Sequence, residues 1–280
     1  MFVSGYVYHI TGEWRSKGTR LLFIEHKLKN LGVPYIVFSI IYILINSCIG
    51  STNTQFSASD ILRIWEKPVA QYWFLYSLLL LFILWAILSK WMKNYQTMIL
   101  LAVIGYVRSV TKIPLSEGIL EMLPCVIPFG LGTCVSQNNM KWVYEKAKTP
   151  AGFLVVFVHC VVTTIYLING TKNYVLVQAV AVLGVLASIV VVVNIGKFRI
   201  IESALLYITK YSFVIYLLHT IFTAGVRVVL VKLGIKIYLV HVLCGCAVGL
   251  LVPVFVAIGC KKIGIYDYLF APAKVWKKRE

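Results

Sequence analysis

Five histidines are the side chains of this sequence best suited to acid–base chemistry, because an imidazole gains or loses a proton near neutral pH. His9 and His26 lie in a polar stretch, where a solvated loop residue is the simpler interpretation. His159 and His241 lie in apolar runs without acidic neighbours, which favours packed, hydrogen-bonded imidazoles. His219 ends an aromatic-rich apolar run, where an ionisable group is a functional-site hypothesis by default. A hydrogen bond to a neighbouring helix remains the alternative for His219.

Acidic and basic side chains near one apolar stretch are also candidates for a site. Glu117 and Glu121 are four residues apart, so a helix places them on one face. Glu121 lies deeper in the apolar stretch, and we expect it to pair with Arg108 or to orient an imidazole.

The cysteines do not indicate a metal or redox site. Their number, seven, is odd, and no CxxC pair or Cys/His cluster has metal-site spacing. We interpret them as small packing residues and predict no metal. Phosphate-binding glycine loops, dinucleotide motifs and the common hydrolase motifs are also absent from the sequence.

The elements that must position these residues are membrane helices. The hydrophobic fraction is 60% and only 13% of residues are charged, which exceeds what a soluble domain of this size can bury. The net charge of +17 is scattered over short connections rather than gathered on one helix or groove. This pattern argues against nucleic acid as a partner and favours anionic lipid headgroups.

The apolar stretches predict an all-α, polytopic transmembrane bundle with about eight spanning helices. The third and fourth are the weakest, because charged residues and prolines interrupt or border them, and the third is alternatively a tilted or re-entrant element. A short apolar fragment at residues 1–8 reads as the end of a further helix. The eight stretches are residues 32–50, 71–89, 95–110, 119–136, 150–168, 174–194, 205–226 and 238–260.

The basic residues alternate between successive connections, which supports eight crossings. One set of connections holds 19 of the 27 Lys and Arg residues, and the positive-inside rule predicts that this set is cytoplasmic. The C-terminus, with Lys274, Lys277, Lys278 and Arg279, belongs to it. The more basic set comprises residues 9–31, 90–94, 137–149, 195–210 and 261–280.

Four motifs, in order, resemble those of the membrane acyltransferase-3 family. Phe2–Tyr6 resembles the Phe-x-Ser-Gly-Phe/Tyr end of its second helix, and Lys27–Tyr35 resembles its basic segment before a Pro-Tyr helix start. Gln71–Tyr76 is similar to its His-x-Trp-Phe-Leu helix start. Lys210–His219 resembles its Lys-Tyr-Ser-Phe-x-Ile-Tyr-Leu-Leu-His signature.

The resemblance implies an integral membrane O-acyltransferase of the fucose-type O-acetylase branch. Such proteins move an acyl group, commonly acetyl from cytosolic acetyl-CoA, to a hydroxyl of a surface polysaccharide or lipid-linked saccharide. We therefore expect acetyl-CoA as co-substrate, no bound cofactor, and the inner (plasma) membrane as location. The family has ten helices, and its proposed catalytic His lies on the first. We expect the first helix and most of the second to be missing here, so that no residue occupies that position and His219 has a supporting catalytic role.

The resemblance also implies binding residues on both sides of the membrane. Arg20, Lys27 and Lys29 lie on the predicted cytoplasmic side, where the phosphates of acyl-CoA favour a cationic cluster. Membrane topology alone is an equal explanation for these basic residues. Tyr72 and Trp73 begin a helix at the opposite face and are candidates for acceptor binding by stacking on a sugar, although aromatic belts are ordinary there.

The sequence leaves two other function classes open. A transporter or flippase for a lipid-linked saccharide has similar composition and topology, but it predicts more charges within the spans than this chain has. A non-catalytic membrane remnant with the same fold is the second alternative. In either case we expect one membrane domain over residues 1–262 and a basic cytoplasmic tail over residues 263–280.

Overall fold

The protein is built from α-helices joined by short connections, as its computed structural model shows. The structure describes residues 1–12, 17–49, 56–170 and 173–277. Helical conformations account for 85% of it, and no strand occurs among the described residues. The prediction of an all-α polytopic bundle is therefore confirmed.

Most of the helices are apolar, as the composition requires, and shorter helices connect the longer ones. The α-helices of the described residues are α1 (Phe2–Thr11), α2 (Lys17–Lys27), α3 (Val33–Ile49), α4 (Trp73–Leu88), α5 (Asn94–Thr111), α6 (Glu117–Met122), α7 (Val126–Cys134), α8 (Gln137–Ala147), α9 (Pro150–Asn169), α10 (Tyr174–Ile195), α11 (Arg199–Thr209), α12 (Ser212–Lys232), α13 (Tyr238–Ile263), α14 (Tyr266–Phe270) and α15 (Pro272–Lys277).

Seven helical segments among the described residues are long and apolar enough to cross a membrane. They correspond to seven of the eight predicted stretches, so the chain is an integral membrane protein. The third stretch, 95–110, forms α5 but is not among the seven. The first span begins at Thr19 rather than 32, because a π-helical turn at Leu28–Gly32 joins α2 to α3.

The predicted stretch 205–226 needs a second boundary correction. Residues 205–209 belong to α11, which ends at Thr209, and α12 begins only at Ser212. Residues 205–208 at the end of α11 are all apolar, so in the sequence they look like the beginning of the apolar stretch that forms α12. The spanning helix of this region is Ser212–Lys232.

Helix α9 shows the surface expected of a lipid-facing helix. Phe157 is 66% exposed and Ile168 is 78% exposed, and almost none of the helix is buried within the protein. Water does not tolerate large apolar side chains in such a continuous surface, whereas lipid does. The outward face of α9 is therefore explained by the bilayer.

The chain divides into two compact units, the first formed by residues 1–25 and 76–202. Aromatic side chains fill the centre of this unit. The ring centroids of Trp85 and Phe129 are 4.9 Å apart, and those of Phe82 and Phe129 are 5.4 Å apart. Tyr8 and Phe23 meet edge to face at 5.4 Å. Edge-to-face packing of this kind adds to the gain from burial alone.

Two glycines let α1 and α7 cross at backbone contact. A Cβ on Gly5 would lie 2.1 Å from the carbonyl oxygen of Phe129, and a Cβ on Gly132 would lie 2.1 Å from that of Phe2. Neither backbone oxygen can turn aside as a flexible side chain can. The Phe2–Tyr6 motif therefore has a structural explanation, because only glycine permits this approach.

The second unit comprises residues 26–75 and 203–280, and part of it folds back along α3. The Tyr35 hydroxyl donates to the Ile64 carbonyl, and the Tyr42 ring lies 6.0 Å from the rings of both Phe56 and Tyr72. The sequence treated residues 51–70 as a simple loop. Residues 56–70 instead include a 3-10 helix, Ala58–Arg63, and they pack against α3, where Ile64 and Val69 form a buried cluster with Ile43.

The C-terminal residues are docked on the second unit rather than extended from it. The Phe270 ring stacks on Phe38 with centroids 5.7 Å apart, and the backbone N–H of Ala273 donates to Asn30 Oδ1 at 3.2 Å. These contacts fix α14 and α15 beside the helix that starts the unit. Lys278 and Arg279 of the predicted tail lie outside the described residues.

Candidate functional site

A long cavity of about 1270 Å³ lies in the second unit, between α12, α13 and the end of α11. Its walls are mostly apolar, with polar side chains at intervals. Ser212, Tyr216, His219, Thr223 and Arg227 line it from α12. Their spacing of three or four residues puts them on one face of the helix. The cavity therefore extends along most of a membrane-spanning helix.

Small residues on α13 form the opposite wall and bring the helices close together. The Thr223 hydroxyl donates to the Gly245 carbonyl at 3.4 Å. A Cβ on Gly249 would lie 2.6 Å from Thr223 Oγ1 and 3.8 Å from the Cβ of His219. Gly245 and Gly249 are four residues apart, a spacing that allows close helix packing in membranes. This approach fixes α12 at the turn that carries His219.

His219 is half-buried, lines the cavity, and has one ring nitrogen fixed by the backbone. Its Nδ1 lies 2.9 Å from the Tyr216 carbonyl oxygen and 3.0 Å from that of Ile215. Both partners only accept hydrogen bonds, so Nδ1 carries the proton. In the neutral ring, Nε2 is then unprotonated and can accept a hydrogen bond.

His241 lines the same cavity, but in its ring the other nitrogen, Nε2, is the one bound to a backbone carbonyl. Its Nε2 lies 2.7 Å from the Ile235 carbonyl oxygen, which leaves Nδ1 as the acceptor of the neutral ring. The sequence interpretation of His241 as a hydrogen-bonded imidazole agrees with this contact. The sequence did not predict the cavity, however, because neither helix by itself shows that α12 packs against α13.

Arg227 and Lys236 give the same cavity two cationic side chains. Sequence reasoning assigned neither a role beyond topology. A usable signal existed, because Arg227 continues the spacing of His219 and Thr223 along α12 at intervals of four residues. Reading that spacing together with His219 would have marked one face of α12 as polar.

The two predicted acceptor-binding residues have different surroundings. Tyr72 has 0% of its surface exposed, and its hydroxyl donates to the Leu217 carbonyl at 2.8 Å. A fully buried ring cannot stack on a sugar, so Tyr72 positions α12 instead. Trp73 is half-buried at the start of α4 and keeps part of its surface accessible.

Gln71, beside them, is a residue whose side chain the sequence did not single out. The Tyr216 hydroxyl donates to its backbone carbonyl. Its side-chain oxygen and nitrogen are both buried, and neither has a hydrogen-bond partner among the described residues. An unpaired buried amide costs about 1–3 kcal/mol.

The three basic residues predicted to bind acyl-CoA do not all belong to one unit. Arg20 lies on α2 in the first unit, whereas Lys27 and Lys29 lie at the start of the second. All three are half-buried. Lys27 and Lys29 flank the beginning of the π-helical turn, and that turn packs against α15. Their role in binding acyl-CoA stays a prediction.

Arg108 and Glu121 lie in the first unit, on α5 and α6. The structure does not bring them into an ion pair. Glu121 Oε2 and Arg108 Nε are both buried, and neither atom has a hydrogen-bond partner within the described ranges. Glu121 therefore orients no imidazole in this conformation, and its predicted orienting role stays a prediction.

Comparison with known proteins adds one finding. A family model described as an acyltransferase domain matches residues 1–258 of the 280. Comparisons with curated proteins and with solved structures returned no match. The matched residues include all four sequence motifs and every helix that lines the cavity, up to residue 258 of α13.

Proposed function

The chain belongs to acyltransferase family 3, and from this membership we propose that it is an O-acyltransferase acting on saccharides. The acyl group is acetyl from acetyl-CoA, and the acceptor is a hydroxyl of a surface polysaccharide or lipid-linked saccharide. The observation that carries the proposal is His219, whose Nδ1 is bound to backbone carbonyls at 2.9 and 3.0 Å within a cavity of about 1270 Å³. This arrangement presents Nε2 as a fixed hydrogen-bond acceptor.

The reaction needs an attacking hydroxyl held against a thioester. The hydroxyl oxygen forms a bond to the acyl carbonyl carbon, the carbon–sulfur bond breaks, and the hydroxyl proton ends on the sulfur of the released coenzyme A. His219 Nε2 accepts a hydrogen bond from the hydroxyl and aligns its lone pair with the carbonyl. Holding both reactants in this way supplies much of the rate gain in such transfers.

Other residues are assigned to the two substrates. Trp73, which keeps accessible surface, contacts the acceptor, while Tyr72 holds the α12 turn through Leu217. Lys27 and Lys29 attract the phosphates of acyl-CoA, and the role of Arg20, which lies in the other unit, stays a prediction.

The distribution of basic residues supports an orientation for this chemistry. The more basic connections face the cytoplasm in the plasma (inner) membrane, and the C-terminus lies on the same side. Acetyl-CoA then approaches from the cytoplasm, where it is made. The acceptor approaches from the membrane or the opposite face.

The test is acyl transfer by the purified chain in phosphatidylcholine nanodiscs. Radiolabelled acetyl-CoA is mixed with polysaccharide from the host that has been chemically de-O-acylated, and both polysaccharide-bound acetyl and released thiol are measured. We expect equimolar transfer and thiol release, with a raised KM for the acceptor in Trp73→Ala. In parallel, the O-acetyl content of the polysaccharide is measured in a deletion strain complemented by this chain.

Transfer in either assay supports the proposal. If the chain is inserted and stable but neither assay shows transfer, the proposal is wrong, and the non-catalytic alternative is favoured. Movement of a labelled lipid-linked saccharide across vesicles without acyl transfer would identify a flippase instead.

A further inference from the structure

A second, smaller cavity of about 410 Å³ lies in the same unit, where α12 begins and α13 ends. Three lysines from three separate elements converge on it. Lys210 lies two residues before the start of α12, Lys261 lies in the last turn of α13, and Lys274 lies on α15. The remaining lining residues are Gly264, Tyr266 and Asp267.

Aromatic rings hold one of the ammonium groups in place. The Lys261 Nζ lies 4.7 Å from the centroid of the Tyr211 ring and 4.8 Å from that of Tyr266. Lys210 Nζ lies 5.9 Å from the Tyr207 ring. Cation–π contacts leave the N–H donors of the ammonium available while reducing its freedom. Ligand binding then orders less side chain and costs less entropy.

The cavity carries an excess of positive charge. Its three lysines face one carboxylate, that of Asp267. Asp267 makes no ion pair with any of the three lysines in the part of the chain that the structure describes. The ammonium groups therefore remain available to an anion, and two positive charges stay unbalanced.

Tyr266 adds a neutral hydrogen-bond donor. Burial raises the pKa of its hydroxyl above the ordinary value, and the negative charge of the neighbouring Asp267 raises it further. The hydroxyl therefore stays protonated at neutral pH. Ammonium groups beside a hydroxyl donor suit phosphate oxygens, which accept several hydrogen bonds at once.

The small cavity and the large cavity lined by His219 share the short chain segment between α11 and α12. Lys210 lines the small cavity, while Thr209 and Ser212, on either side of it, line the large one. Ser212 lies seven residues before His219, which corresponds to about 10 Å along the helix axis. A ligand anchored by its phosphates at Lys210 can therefore extend an arm toward His219.

The predicted acyl-CoA lysines lie close to the same element. Asn30 Oδ1 accepts a hydrogen bond from the backbone N–H of Ala273, one residue before Lys274. Lys27 and Lys29 are on the segment that this contact joins to α15. The sequence identified one cationic segment, and the fold adds three lysines that are distant from it in sequence.

We propose that Lys210, Lys261 and Lys274, together with Tyr266, form a binding site for phosphate groups. Its ligand is the phosphorylated nucleotide end of acyl-CoA, whose pantetheine arm enters the large cavity. This identification of the ligand rests on the proposed function. An anionic lipid headgroup presents the same phosphate chemistry and is the second source that the experiment distinguishes.

The experiment measures binding of coenzyme A and of inorganic pyrophosphate to the full chain in phosphatidylcholine nanodiscs by calorimetry. Lys210→Gln, Lys261→Gln and Lys274→Gln are each expected to raise Kd about tenfold, because each removes a charge-assisted hydrogen bond. Lys262→Gln is the matched control, since Lys262 is the neighbouring lysine outside the cavity and is expected to leave Kd unchanged. Circular dichroism and thermal unfolding verify that the variants fold.

Nanodiscs containing phosphatidylglycerol separate the two sources. If the nucleotide is the ligand, the lipid leaves the Kd for coenzyme A of the wild-type chain unchanged. If the headgroup is the ligand, the lipid competes in the wild type and not in Lys261→Gln, and the phosphate site stands with a lipid ligand. Equal binding by the wild type and all three variants, or no binding by the wild type, overturns the site. Acyl transfer is not measured here, so this result is independent of the test of function.

Discussion

At the scale of single residues, the contacts of His219 define what its ring can do. His219 Nδ1–H donates to two backbone carbonyls of its own helix, so the ring cannot turn without losing both contacts. The protein needs no acidic partner to fix the tautomer, because the helix itself supplies the acceptors. A backbone-fixed ring of this kind is suited to hold a hydroxyl through Nε2.

Three substitutions of His219 distinguish holding a hydroxyl from taking its proton. His219→Ala removes the acceptor and is expected to lower the transfer rate by about 10- to 100-fold, the effect of losing one hydrogen bond to the reacting group. His219→Gln keeps an acceptor near the Nε2 position and is expected to retain most of the rate. His219→Asn places its amide near Nδ1 only and should resemble Ala. The measurement is kcat and KM for acetyl transfer.

His159→Ala is the control, because His159 is an imidazole on an apolar helix of the first unit. Its transfer rate should equal that of the wild type. Loss of activity in His219→Gln as complete as in His219→Ala would show that the ring takes the proton itself. An unchanged rate in His219→Ala would remove His219 from the site.

At the scale of elements, the close pairing of α12 with α13 depends on two glycines of α13, which have no side chain to hold the helices apart. Gly245 and Gly249 leave space that Thr223 occupies, and the same contact sets the position of the His219 turn. Lipid provides no hydrophobic force to drive two apolar helices together, so close backbone packing must supply the stabilisation. The width of the cavity follows from this contact.

Gly249→Ala is expected to lower stability by about 1–3 kcal/mol, the usual cost of overpacking. The new Cβ would lie 2.6 Å from Thr223 Oγ1, so either the Thr223 side chain rotates away from Gly249 or the helices separate. Adding Thr223→Ala removes that oxygen and should restore most of the loss. Thermal unfolding of the single and double variants in detergent measures both effects.

Gly259→Ala provides a control in the same helix, because nothing lies within 4 Å of a Cβ at that position. Its unfolding midpoint should not fall. A double variant no more stable than Gly249→Ala would mean that the contact with Thr223 does not set the helix separation.

At the scale of the whole molecule, the distribution of charge describes how the chain crosses the membrane. Basic residues are concentrated in alternate connections, and this alternation requires eight crossings. The seven apolar segments account for seven of them, and α5 is the candidate for the eighth. Helix α5 has 18 residues and is flanked by Lys93 and Lys112. Crossing by α5 would put these lysines on opposite faces.

Labelling of single cysteines in a cysteine-free chain tests this crossing. Lys112→Cys is expected to react with an impermeant maleimide in intact cells, whereas Lys93→Cys and Lys262→Cys should react only after permeabilisation. Lys236→Cys is the control for the outer face. Equal accessibility of positions 93 and 112 would show that α5 does not span, and a reversed pattern would invert the proposed orientation.

The sequence by itself determined the membrane class, the spans and the family, because these depend on properties read along the chain. Apolar length decides whether a segment crosses a bilayer, and the Phe2–Tyr6 and Lys210–His219 motifs are contiguous. The sequence also marked His219, both from its apolar setting and from its place at the end of the Lys210–His219 motif. Span boundaries were less certain, since the π-helical turn at Leu28–Gly32 and the break before Ser212 depend on packing.

Only the tertiary structure decided which of the candidate residues act together. It buried Tyr72 against Leu217, joined His219 and His241 in one cavity, and gathered Lys210, Lys261 and Lys274 from three elements. Each of these contacts links residues far apart in the chain, and no periodicity within one helix specifies its partner. The physical reason is that lipid-facing and protein-facing apolar surfaces look alike in sequence, so helix pairing follows from close packing between particular small and polar residues.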